Sequence, residues 1–184
     1  YNVSASGLTL TLTDSTNDLT LGGVTQSGSD LNFSLTTDTG DLIVAGDPSI
    51  GNGSLALTSS LADITQSVAI THSGTSSFTV TGGNAITLTS GNDFTGAVSL
   101  LSGTGAVQIT NTNAMIFGTS TLGGALTVIT SGAVTQTGAI SASAGTTTFT
   151  AGSGNDITLT DSSNDFGTVT VTTGNNVSVT DSND

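Results

Sequence analysis

Lysine, arginine, glutamate, cysteine and tryptophan are all absent from this chain, and proline, methionine, tyrosine and histidine occur once each. Every one of the 13 acidic residues is therefore an aspartate, and the net charge is −13 with nothing to offset it. Binding to nucleic acid or to anionic lipid draws on Lys and Arg displacing counterions, so neither partner suits this segment. Without cysteine there are no disulfides and no thiolate metal sites, which leaves the compartment open. No apolar run approaches the roughly 20 residues of a membrane helix, and the first residues, Tyr1-Asn2-Val3-Ser4, carry no basic stretch leading into an apolar one. The chain reads as an excerpt of something longer.

What remains is Thr, Ser, Gly, Asn and small aliphatics. Such a composition resembles a flexible polar tract, but 34% of the residues are apolar and they fall in alternating runs. Leu8-Thr-Leu-Thr-Leu12, Ile86-Thr-Leu88, Val169-Thr-Val171 and Val177-Ser-Val179 have the period of two that marks β-strands with one face buried. Helix is disfavoured by the lack of Glu, Lys and Arg, by 25 glycines, and by the absence of any apolar set at helical spacing.

The sequence also repeats. Residues 64–113 realign on 134–183 with an offset of 70 to 72. Ile64-Thr-Gln66 matches Val134-Thr-Gln136, Phe78 matches Phe149, and Asn84-Ala-Ile-Thr-Leu-Thr89 matches Asn155-Asp-Ile-Thr-Leu-Thr160. Asn92-Asp-Phe94 matches Asn164-Asp-Phe166, and Val107-Gln-Ile-Thr110 matches Val177-Ser-Val-Thr180. A shortened earlier copy carries Asn17-Asp18-Leu19 and Val24-Thr-Gln26. The copies run approximately over 1–63, 64–133 and 134–184. A constant long period means that each unit stacks on its equivalent, which an antiparallel sandwich does not require. The expected fold is all-β, a right-handed parallel β-helix of roughly eight rungs, each of about 20 to 24 residues and together about 40 Å long at the spacing of neighbouring strands. A 70-residue unit would then be three rungs. Asp38 to Gly53, with the only proline at Pro48, departs from the repeat and is expected to be a longer corner loop.

Asn92-Asp-Phe-Thr-Gly-Ala-Val-Ser-Leu100, Gly118-Thr-Ser-Thr-Leu-Gly-Gly-Ala-Leu-Thr-Val128 and Gly132-Ala-Val-Thr-Gln-Thr-Gly-Ala-Ile140 resemble the repeats of giant filamentous-haemagglutinin-like bacterial surface proteins. The resemblance covers most of the chain and is weakest over 27–60. It implies a long right-handed β-helix exported by a partner transporter, extracellular on the cell surface or secreted as a filament, and serving as adhesin or fibre. The implied partners are the same chain end to end, and surface glycans or proteins of a host or neighbouring cell.

Candidate sites are few. Paired carboxylates of a polysaccharide-cleaving β-helix need to lie about 5 to 9.5 Å apart, and Asp14 with Asp18 or Asp161 with Asp165 are near enough in sequence. Both pairs sit in the recurring turn Thr-Asp-Ser-(Ser/Thr)-Asn-Asp, where Asp and Asn cap backbone groups; no catalytic residue is assigned. Calcium favours such oxygens. Gly152-Ser-Gly-Asn-Asp156 resembles one calcium-binding nonapeptide, which makes Asp156, Asp161 and Asp165 the metal candidates, although a single copy cannot complete a calcium roll. No other cofactor is indicated. His72 has Ala142 as its repeat counterpart, so the repeat itself does not require it. Phe78, Phe149, Phe94 and Phe166 are expected in core or corner positions, and Gln26, Gln66 and Gln136 as a polar corner stack or an inward amide ladder. Asn2, Asn32 and Asn176 begin sequons for N-glycosylation.

Overall fold

A computed structural model describes the backbone of residues 2–3, 9–26 and 30–183, and side chains from Asp14 onward within those ranges. The sequon at Asn2 and the termini Tyr1 and Asp184 lie outside the described side chains. The architecture is a right-handed parallel β-helix: every strand pairing is parallel, and among the described residues there is no helix.

Three strands make one coil. One ladder runs through Leu19, Leu42, Ile64, Ile86, Val107, Leu126, Thr147 and Val169, each paired with the next. That is eight layers joined by seven turns, in agreement with the expected rung count. A coil consumes 23 residues between Leu19 and Leu42 and 19 between Val107 and Leu126. A second face stacks Asn32–Thr37, Leu55–Ser59, Ser76–Val80 and Val98–Ser102. Above them the chain continues with Ser120–Leu122 and the start of Ile140–Thr150. On the third face Thr71–His72 pairs with Asp93–Phe94 in the lower coils. In the upper coils Met115–Phe117, Val134–Gln136, Ile157–Leu159 and Val177–Val179 stack in turn.

Alternation places the apolar residues inward, where the layers stack them. Leu42, Ile64, Ile86, Val107 and Leu126 are fully buried in one ladder, while the intervening Thr65, Thr87 and Thr127 stay partly exposed. β-Branched Thr suits a pleated, half-buried surface. All four repeat-matched phenylalanines lie in the core, as expected, and Phe78 meets Phe94 edge to face at 5.7 Å. Glycine allows the coils to close at the corners. A Cβ on Gly74 would overlap the carbonyl oxygen of Gly53, and one on Gly96 that of Gly74, so these corners admit only the residue without a side chain.

Two expectations need correction. The stretch around Pro48 is not a corner loop: Leu42–Ser49 is a strand, with Pro48 paired to Val24. The register against Leu19–Gln26 shifts between Leu21 and Gly22, and proline is tolerated in strands beside such irregularities. Nor is the 70-residue unit three rungs. Three coils above Ile64 stands Leu126, and Val134, its sequence equivalent, comes one face later in the ladder of Met115 and Ile157. Phe78 likewise stacks beneath Leu100, whereas Phe149 belongs to the ladder of Val128 and Val171. The repeat is three and one-third turns, so equivalent residues in successive copies are displaced by one face around the rod.

Candidate functional site

The aspartates at the turns cap backbone donors, some within their own turn and some in the neighbouring coil. Asp14 Oδ1 accepts the Thr16 N–H at 2.9 Å and the Thr16 hydroxyl at 3.3 Å, and that backbone donor is the main reason its pKa lies below the ordinary value. Asp18, Asp41 and Asp63 precede successive strands of one face. Asp18 accepts the N–H of Asp41 at 3.0 Å, Asp41 that of Asp63 at 3.0 Å, and Asp63 that of Ala85 at 2.8 Å. Like charges stack along this column, and each carboxylate satisfies a backbone donor of the coil above.

The three calcium candidates are engaged in the same way. Asp156 Oδ1 accepts the N–H of Asn176 at 3.0 Å and the side-chain amides of Asn175 and Asn176 at 2.9 and 3.0 Å, and these donors, the backbone one first, lower its pKa. Asp161 accepts the Ser163 N–H at 2.9 Å within its own turn. Asp165 accepts from the Asn183 amide at 2.7 Å, one coil above. Among the described residues no three His or Asp side chains converge to hold a metal ion. In both carboxylate pairs, Asp14 with Asp18 and Asp161 with Asp165, one member caps its own turn and the other bonds to the next coil.

Two of the three glutamines that follow threonine, Gln66 and Gln136, form a recurring clasp that the expected ladder did not anticipate. Gln66 and Asn92 exchange amide hydrogen bonds at 2.8 and 3.0 Å, and Gln136 and Asn164 do so at 2.9 and 2.9 Å. Asn92 Oδ1 also accepts the Ile70 N–H, and Asn164 Oδ1 the Ile140 N–H, both at 2.9 Å. Each asparagine returns a proton to a carbonyl of its own coil, Leu88 or Leu159. The glutamines therefore do not stack on one another. Gln26 lacks the partner: its Nε2 is buried without a hydrogen bond. At the corresponding corner Asn52 is exposed and accepts the Ser73 hydroxyl instead. The recurrence of Gln with Asn-Asp-Phe was visible in the sequence; that the two meet across a coil required the stacking.

Among the described residues His72 is the one titratable side chain in the core, 2% exposed and paired in register with Phe94; its ring nitrogens are enclosed near the backbone of Thr75 and Gly53 without a hydrogen bond of good geometry. Burial lowers its pKa, opposed by nearby backbone of Thr75 and Gly53 and by the charge of Asp47. Asn32 and Asn176 are exposed on the surface.

Capped turns, amide clasps and an uninterrupted core ladder define a repeat-built parallel β-solenoid. The chain belongs to the DUF5649 family, repeats of unknown function, which matches residues 30–101 and 104–173. No curated protein and no solved structure matches the chain. The family's two repeats start at 30 and 104, a frame different from the copies read at 64 and 134. A cyclic period can be cut at any point.

Proposed function

We propose that the chain is a structural repeat segment of an extracellular fibre or adhesin stalk on a bacterial surface, without enzymatic activity of its own. The observation that carries this reading is the single ladder from Leu19 to Val169, which passes through both family repeats without a break. Each repeat cannot bury its core alone and completes it on its neighbours, which is how a rod is extended by adding units. The carboxylates considered for catalysis or calcium act as caps, Asp14 and Asp161 within their own turns and Asp18, Asp156 and Asp165 between coils. A surface carrying −13 and no cation keeps neighbouring rods apart, and it offers trypsin no cleavage site. The resemblance to filamentous-haemagglutinin-like proteins supports display outside the cell, with end-to-end continuation of the rod and surface glycans or proteins as its partners.

The test is immunogold labelling of intact cells that express the natural protein, using an antibody raised against this segment. Label along surface filaments, removed by an external protease of broad specificity and retained after trypsin, is the expected result. Label confined to permeabilised cells would overturn it.

A further inference from the structure

Asn52-Gly53 is the one place in the sequence where glycine follows asparagine. Glycine leaves its backbone nitrogen unshielded by a side chain, so the preceding side-chain amide can come close to it. The fold sets this asparagine apart from its neighbours in the stack. Asn92 and Asn164 are buried with both amide atoms bonded in the clasps, and Asn111 is buried with its amide bonded to the backbone of Phe94 and Ala114. Asn52, at the corner where Gln26 lacks a clasp, is exposed in a turn in which Gly51 takes a φ of 70°. Among the described residues its side chain has one partner, the Ser73 hydroxyl, which donates to Oδ1 at 2.6 Å. Its backbone N–H donates to Asp30 Oδ1 at 2.9 Å.

We infer that Asn52-Gly53 is a self-modification site, where the chain converts its own asparagine to aspartate and isoaspartate through a cyclic imide. The Gly53 backbone nitrogen gives up its proton to solvent and attacks Cγ of Asn52. A bond forms between that nitrogen and Cγ, the Cγ–Nδ2 bond breaks, and the amide leaves as ammonia with a proton taken from water. The Ser73 proton on Oδ1 draws electrons from Cγ and steadies the oxyanion that forms there. Water then opens the imide. Addition at Cγ leaves an ordinary aspartate, and addition at the main-chain carbonyl leaves the chain running through the side chain as isoaspartate. Either product places a carboxylate beside Asp30, a like charge in the coil below. The iso linkage also lengthens the main chain by a methylene at a corner where the backbones of Gly53 and Gly74 already stack too closely for a Cβ. The reaction therefore loosens one corner of the rod as the molecule ages. The inference stands independently of where the chain is displayed.

The test is storage of the purified, folded chain at neutral and mildly alkaline pH, followed by peptide mass mapping and by labelling with an isoaspartate methyltransferase. The expected result is loss of amide at position 52 ahead of every other asparagine, with isoaspartate there, and faster at the higher pH because the attacking nitrogen must be deprotonated. Asn52→Gln closes only a larger, slower ring and is expected to abolish the label; circular dichroism checks that this exposed position accepts it. Ser73→Ala is expected to slow the loss several-fold, and an unchanged or faster rate would overturn the role given to that hydroxyl. Aged chain is expected to exchange the amide hydrogens of residues 50–54 and 72–76 faster than fresh chain, and equal exchange would overturn the loosening. A chain unfolded in urea sets the unhindered rate. Asn52 kept intact by the folded chain while the unfolded chain loses it would overturn the inference, and so would loss spread evenly over the asparagines.

Discussion

Gln66 and Asn92, 26 residues apart in sequence, form a closed amide pair across adjacent coils, with each side chain both donor and acceptor. The pair recurs between Gln136 and Asn164 with the same backbone partners one repeat later. A buried amide with every group satisfied fixes one register between layers, because a slip of one residue would leave several buried polar groups without partners.

Removing the asparagine should therefore cost more than its own hydrogen bonds. Asn92→Ala and Asn164→Ala each strand a buried backbone N–H and a glutamine amide, and a loss of about 3 kcal/mol is expected for each. Urea denaturation checks the values; near-equal effects at the two sites would show that the clasp belongs to the repeat.

Thr147 stands between Leu126 and Val169 in an otherwise apolar ladder, and its buried hydroxyl has no partner. Thr147→Val keeps the shape and removes the unpaired oxygen. A gain of about 1 kcal/mol is expected in the same denaturation experiment.

The column Asp18, Asp41, Asp63 separates charge from hydrogen bonding. Asp41→Asn keeps the acceptor for the Asp63 N–H and relieves like-charge stacking, so stability is expected to be unchanged or higher, most clearly at low salt. Asp41→Ala removes the acceptor as well and is expected to cost about 1 kcal/mol. Thermal melts of both variants at two salt concentrations distinguish charge from capping.

Corner glycines differ sharply in tolerance. Gly74→Ala forces a Cβ into the Gly53 carbonyl and is expected to cost about 3 kcal/mol or more. A Cβ on Gly83 meets only the Thr104 hydroxyl, at 3.7 Å, and Gly83→Ala is expected to be neutral in the same melts.

Acid should loosen the coil that carries His72. Its folded pKa lies below the ordinary 6.5, so between those two values the unfolded chain binds the extra proton and the folded chain does not. Stability is thus full above pH 6.5 and falls as the pH drops through that window. His72→Ala is expected to flatten the dependence in urea midpoints. Asp14 and Asp156, lowered from 3.8 by their donors, add a separate loss only at more acid pH.

Much of the fold was legible before any coordinates. Ile86-Thr-Leu88 and Val177-Ser-Val179 alternate because a strand sends successive side chains to opposite faces, and that rule acts within a few residues. Pro48 misled because its local preference is for turns, while the strand around it is held by partners on neighbouring coils. The clasps were not legible, because Gln66 meets Asn92 only once a coil has closed.

That the chain is β, that it repeats, that its aliphatic residues face inward and that its aspartates cap turns all follow from local alternation and turn chemistry. That 70 residues make three and one-third turns emerges only once the coils have stacked. That phase is set by how many residues each corner consumes, 19 in one coil and 23 in another. Corner lengths depend on how closely glycine backbones approach between layers, a contact between residues about 20 positions apart that no short stretch of sequence contains.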